Sequence, residues 1–420
     1  MPGPGWYFFG DEERRQVDDV LRSRELSRYR FDQTDDDEPS KVFQFERTME
    51  AYLGAPHCLA TNSCTSALLA ALTALGVGPG DEVIVPGYTF IASIAAIVYA
   101  RAVPVLAEVD DSLTLDPDDV RRKITPRTRA ILCVHMLGAP CDMDALEAIA
   151  REHGLFLVED VAQACGGEYR GRRLGSIGDA GAFSLNVFKT ITAGDGGCLA
   201  VRDDAVFERA FAFHDHGFKP FRLGVADAQG LMGLNLRMAE LVGAVALAQA
   251  RKLPAVVEAV RAQKRRLLDA LGPLGVPRRR LNDPDGECGT LLVLLLDSAE
   301  QARRVAAALG VCTLVESGRH YYGAMPQLLN RRIPSQAGCP FFCEAHPTDR
   351  EYTRGMLPRT DDLLSRSVAL SVGVVDSYLG AGFGVNVLSP PEEVDEVARI
   401  FHERTADAFR AGAAFSMAAP

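Results

Sequence analysis

Lysine is scarce in this chain. Of 45 basic residues in 420, six are lysine (Lys41, Lys123, Lys189, Lys219, Lys252 and Lys264) and 45 − 6 = 39 are arginine. The net charge is −11 at pH 7 and the isoelectric point lies near 5.3. A basic stripe of the kind that tracks nucleic acid is missing. No uninterrupted apolar stretch approaches the roughly 20 residues of a membrane-spanning helix. The opening MPGPGWYFFGDEERR has no basic segment followed by an apolar core, so no secretory leader is read there. Ten cysteines, among them Cys133, Cys165, Cys198 and Cys312, are scattered through apolar segments without a disulfide framework. They read as reduced thiols of a cytoplasmic protein. Cys339, Cys343 and His346 have a C-x₃-C spacing poor for zinc and no second pair follows, so no metal site is expected. No G-x-G-x-x-G follows a first strand and no phosphate-loop lysine motif occurs, which leaves nucleotide binding little support. Internal repeats are absent. With 47% hydrophobic and 24% charged residues, a soluble chain of two domains is expected.

What is there centres on Val158–Gly197. The apolar run Leu155–Val158 ends in Glu159–Asp160, and a second run (Ala180, Ala182, Phe183, Leu185) leads to Lys189 and a Gly-rich loop. Both have the short, turn-bounded character of buried strands in an α/β sheet. Such sheets place ligands at the carboxyl ends of their strands. Asp160 and Lys189, 189 − 160 = 29 residues apart, are therefore expected to converge on one pocket. Lys123, Lys252 and Lys264 each touch arginine in sequence and read as helix surface, whereas Lys189 directly follows an apolar strand. A pyridoxal phosphate site needs this pair, a lysine for the Schiff base and a carboxylate against the pyridinium nitrogen. Spacing alone equally allows a surface lysine in a turn.

Three motifs resolve that choice: E-D-V-A-Q-A-C-G-G from Glu159, F-S-L-N-V-F-K-T-I-T-A-G-D-G-G from Phe183, and G-L-N-L-R-M-A-E-L from Gly233. Together they resemble the signature of the DegT/DnrJ/EryC1/StrS family of pyridoxal-phosphate-dependent sugar aminotransferases, over nearly the whole chain. The resemblance implies a fold-type I, aspartate aminotransferase-like α/β architecture. It assigns Lys189 to the Schiff base, Asp160 to the pyridine nitrogen, Gln163 to the ring hydroxyl oxygen and Ser184 to the phosphate. Asp195 stands where a glutamate is common. Asn235 matches the position that reaches the neighbouring subunit's phosphate, which implies a homodimer with shared active sites.

Taken in order, the chain predicts a helix at Asp11–Arg22, an acidic solvated loop at Asp32–Glu38, a helix near Val42–Leu53 and an apolar run at Cys58–Ala60. Thr61–Asn62–Ser63 caps an Ala/Leu helix. That helix start is an ordinary cap or a phosphate cradle. The family likeness favours the cradle, with Cys64 in place of the usual glycine before Thr65. Cys64 must then take a conformation without positive φ. Strands are expected at Glu82–Pro86, Val103–Leu106 and Ala130–His135, with helices at Pro117–Lys123 and Asp142–His153, giving a mainly parallel covered sheet. By resemblance Phe90 stacks on the cofactor ring, Tyr88 faces substrate and His135 is structural. The Pro/Arg/Asp-rich stretch Pro273–Pro284 divides a large domain, 1–272, from a smaller α+β domain, 273–420. In the latter, strands are predicted at Thr290–Leu296, Val311–Glu316 and Val368–Val374, with helices at Glu300–Leu309 and Pro391–Arg404 and a frayed tail.

RHYYGAMPQLL places His320 where family members meet the sugar. Specificity is expected in Leu223–Gln229, His320–Leu329 and Pro340–Tyr352. The segment from Gly355 most resembles the branch containing 8-amino-3,8-dideoxyoctulosonate transaminases. The reading is an aminotransferase using glutamate or glutamine and a keto-sugar or keto-cyclitol. A sugar dehydratase of the same fold, whose members replace the lysine with histidine, and a non-catalytic cofactor-binding regulator are the competing readings.

Overall fold

Alternation along the strands sorts the apolar side chains into two layers, one on each face of a central sheet. Leu59, Val83, Leu132, Val158, Ala182 and Leu199 point to one side. Cys58, Ile84, Ile131, Leu157, Phe183 and Cys198 point to the other. Successive side chains of a strand face opposite ways, so a strand covered on both faces must be apolar throughout. That is why these segments read as continuous apolar runs. Each buried Val, Leu or Ile contributes on the order of 1.5–3 kcal/mol of transfer free energy.

The computed structural model describes residues 2–29, 40–218, 231–335, 337–374 and 380–416, with the side chains of 410–416 excepted. The predicted acidic loop Asp32–Glu38, the segment Leu223–Gln229 and Lys219 lie outside the described residues. After a 3₁₀ turn at Pro4–Phe8 come α1 (Asp11–Ser23), α2 (Lys41–Leu53), β1 (His57–Thr61), α3 (Cys64–Ala74), β2 (Glu82–Pro86), α4 (Ile91–Tyr99) and β3 (Val103–Ala107). They are followed by α5 (Pro117–Lys123), β4 (Thr128–Val134), α6 (Met143–His153) and β5 (Phe156–Asp160). A small hairpin, β6 (Glu168–Tyr169) and β7 (Arg172–Arg173), leads to β8 (Ala180–Ser184), β9 (Gly197–Val201), α7 (Asp204–His214) and α8 (Glu240–Leu271). The chain closes with β10 (Leu291–Leu295), α9 (Ala299–Leu309), α10 (Pro326–Leu329), α11 (Pro358–Ser365), β11 (Ser367–Ser371) and α12 (Pro391–Ser416).

Seven strands form the main sheet in the order β1-β9-β8-β5-β4-β2-β3. Only β9 runs against its neighbours; the remaining pairs are parallel. The registers Thr61↔Gly197, Ser184↔Gly197 and Val134↔Asp160 bring the carboxyl ends of β1, β8, β5 and β4 to one edge. The antiparallel pair β10–β11 packs with α9, α12 and the end of α8 around a third apolar cluster. α8 ends at Leu271 with Gly272 as its cap, immediately before the expected domain division.

Three expectations need correction. Val311–Glu316 is not a strand but an extended stub entering a turn, with Glu316 N bonded to Thr313 O (3.1 Å). Its Leu314 N reaches Ser367 O (3.0 Å), at the start of β11, and its Val315 N reaches Leu364 O (3.2 Å), in α11, so its amides divide between a strand and a helix instead of running along β11. Lys264 is not on a helix surface. It is 7% exposed and bonds Glu287 Oε1 at 2.5 Å, because the segment after α8 folds back over that face of the helix. No described helix is long and apolar enough to cross a membrane. The helix predicted to end at Arg404 continues to Ser416, through most of the tail expected to fray.

Candidate active site

The edge where the strand ends meet opens into a cavity of about 330 Å³, within the size range of small-molecule sites. Cys64, Thr65, Phe90, Asp160, Gln163, Ser184, Lys189, Asp195 and His320 all line it. Strand alternation explains why one of two adjacent acids is there. Asp160 faces the cavity. Glu159 faces the opposite layer, where its oxygens accept from Gly175, Ile177 and Gly178 N (2.7–2.8 Å) and pair with His135 Nε2 (3.1 Å). Burial opposes ionisation of Glu159, but these donors hold its pKa below the ordinary carboxylate value. His135, whose Nδ1 accepts from Cys141 N (3.1 Å), is fully buried and does not line the cavity.

Asp160 is fixed through both oxygens. Oδ1 accepts from Ala162 N (3.0 Å) and Oδ2 from Ser93 Oγ (2.7 Å). Ser93 is itself fully buried and touches Thr89 Oγ1 at 2.8 Å. Sequence reasoning missed Ser93. Its only signal was a hydroxyl four residues after Thr89, on the inward side of an otherwise apolar helix. Gln163 is oriented by Leu137, whose N–H donates to Oε1 (2.9 Å), which leaves the amide Nε2 as a donor toward the cavity. Leu137 holds this position with a left-handed φ of 57°.

At the far end lies the N-terminus of α3. Ser63 caps it, accepting from Ser66 N (3.1 Å). The first backbone bond of the helix is Ala67 N to Ser63 O (3.1 Å), so the N–H groups of Cys64 and Thr65 precede it and face the cavity end. Cys64 takes no positive φ. Burial and the Asp160 charge push its thiol well up, while Lys189 works against them. β9 passes beneath this turn only because Gly197 has no side chain; a Cβ there would meet Ser63 C at 2.4 Å and Cys64 N at 2.6 Å. A helix N-terminus with hydroxyls beside it (Thr65, and Ser184 on β8) suits a phosphate.

Lys189 sits on a loop that closes on itself. Leu185 N bonds Gly196 O (3.0 Å), Ala193 N bonds Leu185 O (2.9 Å) and Lys189 N bonds Asn186 O (3.0 Å). Asn186 Nδ2 also holds Asp195 Oδ1 (2.9 Å). Opposite, Thr89 N bonds His320 O (2.9 Å) and Tyr322 N bonds Gly87 O (3.0 Å), which ties His320 to the segment carrying Phe90. Phe90 lines the cavity and is 42% exposed, its ring 5.6 Å from that of His320. Tyr88, expected to face substrate, does not line the cavity. Its backbone bridges Tyr321 and its side chain is fully buried in the core, its hydroxyl without a hydrogen bond. Asn235 lies outside its own chain's cavity; it is exposed, with Oδ1 accepting from Arg237 Nε (3.0 Å). Arg319, Thr290, Asn186 and Val374 line the cavity without having been singled out in the sequence. Among the described residues no group of three or more His, Cys, Asp or Glu side chains converges as a metal site.

This donor set fits pyridoxal 5′-phosphate: a carboxylate for a ring nitrogen, an amide donor for a ring oxygen, an exposed aromatic ring, a helix N-terminus for phosphate and an amine within the same walls. The profile of the DegT/DnrJ/EryC1/StrS aminotransferase family matches residues 10–374. An L-glutamine:2-deoxy-scyllo-inosose aminotransferase of Streptoalloteichus tenebrarius is 43% identical over 218 residues, 50% of this chain and 51% of that protein. A GDP-perosamine synthase of Caulobacter vibrioides is 40% identical over 213 residues, 50% of this chain and 57% of that protein. The chain thus spans little more than half the length of these curated relatives. Among solved structures, S. venezuelae DesV in complex with a ketimine intermediate aligns with a TM-score of 0.72 at 30% identity, covering 94% of each chain.

Proposed function

The chain belongs to the DegT/DnrJ/EryC1/StrS aminotransferase family, whose cofactor is pyridoxal 5′-phosphate, and from that premise we propose that it moves an amino group from glutamate or glutamine to a keto-sugar or keto-cyclitol. The observation that carries the proposal is that Lys189, Asp160, Gln163 and the α3 N-terminus line a single cavity. When bound, the cofactor supplies an electrophilic carbonyl and a ring that withdraws electrons from the carbon bearing the transferred nitrogen.

The residues divide the remaining work. Lys189 Nζ would hold the cofactor and, when its amine is free, would accept and return a proton at the carbon bearing the transferred nitrogen. Asp160, its two oxygens fixed by Ser93 Oγ and Ala162 N, would face the ring nitrogen and hold a proton there. Gln163 Nε2 would donate to the ring oxygen. The N–H groups of Cys64 and Thr65, with Ser184, would take the phosphate. Polar side chains at the mouth (Asn186, Thr290, Arg319 and His320) suit the hydroxyls of a polyol acceptor. The unpaired state of all ten cysteines agrees with a reducing, cytoplasmic setting.

A homodimer with shared sites is part of the reading. Asn235 is exposed beside Met232 (97% exposed) and Leu234 (50%), a polar group flanked by apolar ones on an uncovered segment. Sizing across a dilution series, with activity followed in parallel, should show both falling together.

The reaction is tested by the visible absorption of the cofactor-loaded protein and of a Lys189→Ala variant, each with glutamate or glutamine added. A lysine-dependent band that is lost on adding donor supports transamination. An identical band and response in Lys189→Ala would remove the assignment. A cofactor-bound protein inert to both donors would point to the dehydratase or regulator.

A further inference from the structure

The loop that carries Lys189 is covered by the start of the chain. Gly3 N donates to Val187 O (2.8 Å). A Cβ on Gly3 would lie 2.4 Å from Phe188 C and 2.5 Å from Lys189 O. One on Gly5 would lie 2.7 Å from both Ile191 Cα and Gln249 Oε1, and 2.8 Å from Thr190 O. Gly3 has φ −76° and ψ 178°, backbone that any residue adopts. The requirement at Gly3 is therefore for space alone: two glycines, two residues apart, let the N-terminal backbone rest directly on the backbone of 187–191.

Beyond this crossing the segment is anchored. Phe8 O accepts from Lys252 Nζ (2.8 Å), and Glu13 pairs with Lys252 Nζ (2.7 Å) and accepts from Gln249 Nε2 (2.8 Å). Gln249 Oε1 in turn accepts from Thr192 N (3.3 Å), which closes a circuit from the N-terminus through α8 back to the lysine loop. On the other side Pro4 packs against Gly373, next to the cavity residue Val374. Tyr7 and Phe8 pack against the cluster around β10 and β11.

We propose that residues Gly3–Phe8 form a positioning strap that fixes the main chain of the Lys189 loop, so that where the amine stands in the cavity is set by the N-terminus, with Gly3 and Gly5 as positioning residues. The proposal rests on Lys189 as the cofactor-binding lysine. The loop's own bonds join Leu185, Asn186, Ala193 and Gly196 at its base, and within 187–191 Asn186 accepts from Phe188 N (3.3 Å) and Lys189 N (3.0 Å); the backbone of 187–191 otherwise rests on the strap. A chain that lost the strap would keep the loop closed but not its tip in place. A displacement near 1 Å at a reacting group can cost about a hundredfold in rate.

The test uses full-length Gly3→Val and Gly5→Ala, with Gly10→Ser as control on the same segment, where an added Cβ meets nothing within 4 Å. Three quantities are read: amide hydrogen exchange over 187–192 in the cofactor-free protein, the pH at which the lysine-bound cofactor band titrates, and kcat and KM separately. Expected are faster exchange, a displaced titration midpoint and kcat lowered by roughly tenfold or more with KM little changed, in Gly3→Val and Gly5→Ala but not in Gly10→Ser. If Gly3→Val does not fold, Gly3→Ala takes its place and Gly5→Ala is judged by the same readings. Folded variants with unchanged exchange, titration and kcat, whatever their melting temperature, would overturn the strap. A wild type lacking any lysine-dependent band would overturn the proposed reaction instead, while the exchange data would still decide whether the strap holds the loop.

Discussion

Ser93 Oγ donates to Asp160 Oδ2 across 2.7 Å, so a helix residue from one βα unit orients the strand-end acid of another, 67 positions along the chain. A hydrogen bond to a charged acceptor contributes about 1.5–3 kcal/mol, enough to govern how firmly the carboxylate meets a ring nitrogen. Ser93→Ala should lower kcat by roughly tenfold or more, since each 1.4 kcal/mol is a factor of ten, and weaken cofactor retention. Steady-state kinetics with a cofactor titration checks this, circular dichroism confirming the fold; an unchanged titration would show that the Ser93 contact does not matter.

Gln163 performs two tasks through one amide. Gln163→Ala removes the acceptor of Leu137 N, a residue already in the left-handed region. The cofactor-free protein should lose about 1–3 kcal/mol of stability, and cofactor affinity should drop as well. Denaturant unfolding with and without cofactor separates the two. A loss seen only with cofactor bound would mean that Leu137 does not depend on Gln163.

Glu159→Gln should separate stability from chemistry. The buried carboxylate serves three backbone donors and His135, and replacing it should destabilise by about 3–5 kcal/mol while a protein that remains folded keeps its kcat. Because the folded pKa of Glu159 is depressed, its stabilisation is present above the ordinary carboxylate range and is lost as pH falls through the folded value. Unfolding curves at neutral and acid pH should therefore converge for wild type and variant toward low pH.

His214 provides a second acid-sensitive point. Its Nδ1–H donates to Phe211 O (2.7 Å) and its Nε2 accepts from the Tyr29 hydroxyl (3.2 Å), so the neutral ring is fully bonded. Burial lowers its pKa to about 4. Between that value and an unfolded value near 6.5 the unfolded chain binds a proton that the folded chain does not. Stability is complete above about 6.5 and lost as pH falls toward 4. His214→Asn should flatten the pH dependence in that window by up to one proton, about 1.4 kcal/mol per pH unit. Equal slopes in variant and wild type would contradict the assignment.

What was legible in the sequence follows from what each residue depends on. Lys189 stood out because lysine is rare and this one follows an apolar strand, and Asp160 because acids at strand ends are conspicuous. The α3 cap at Ser63 is local chemistry, written in three consecutive residues. Ser93 was hidden because its importance lies in Asp160, distant in sequence. Tyr88 was misplaced because the side on which a ring lands after β2 depends on the bridge to Tyr321, 233 positions later. Val311–Glu316 has the branched residues of a strand, yet the turn takes the amides of Thr313 and Glu316, and those of Leu314 and Val315 go to Ser367 O and Leu364 O, so no ladder forms. Lys264 looked exposed among arginines until the chain after α8 covered it.

The reversal of β9 against β8 has a consequence for chain entropy. It makes the residues between Ser184 and Gly197, which pair in register, a hairpin loop with adjacent ends. Closing the ten residues 186–195 costs about 2 kcal/mol, and doubling the loop would add only about 0.6 kcal/mol. Closure entropy is thus nearly indifferent to the length of this loop. What an insertion within it would forfeit is contact, not closure entropy: the bonds to Gly3 and Gln249 would go, and the lysine would be carried away from its acid.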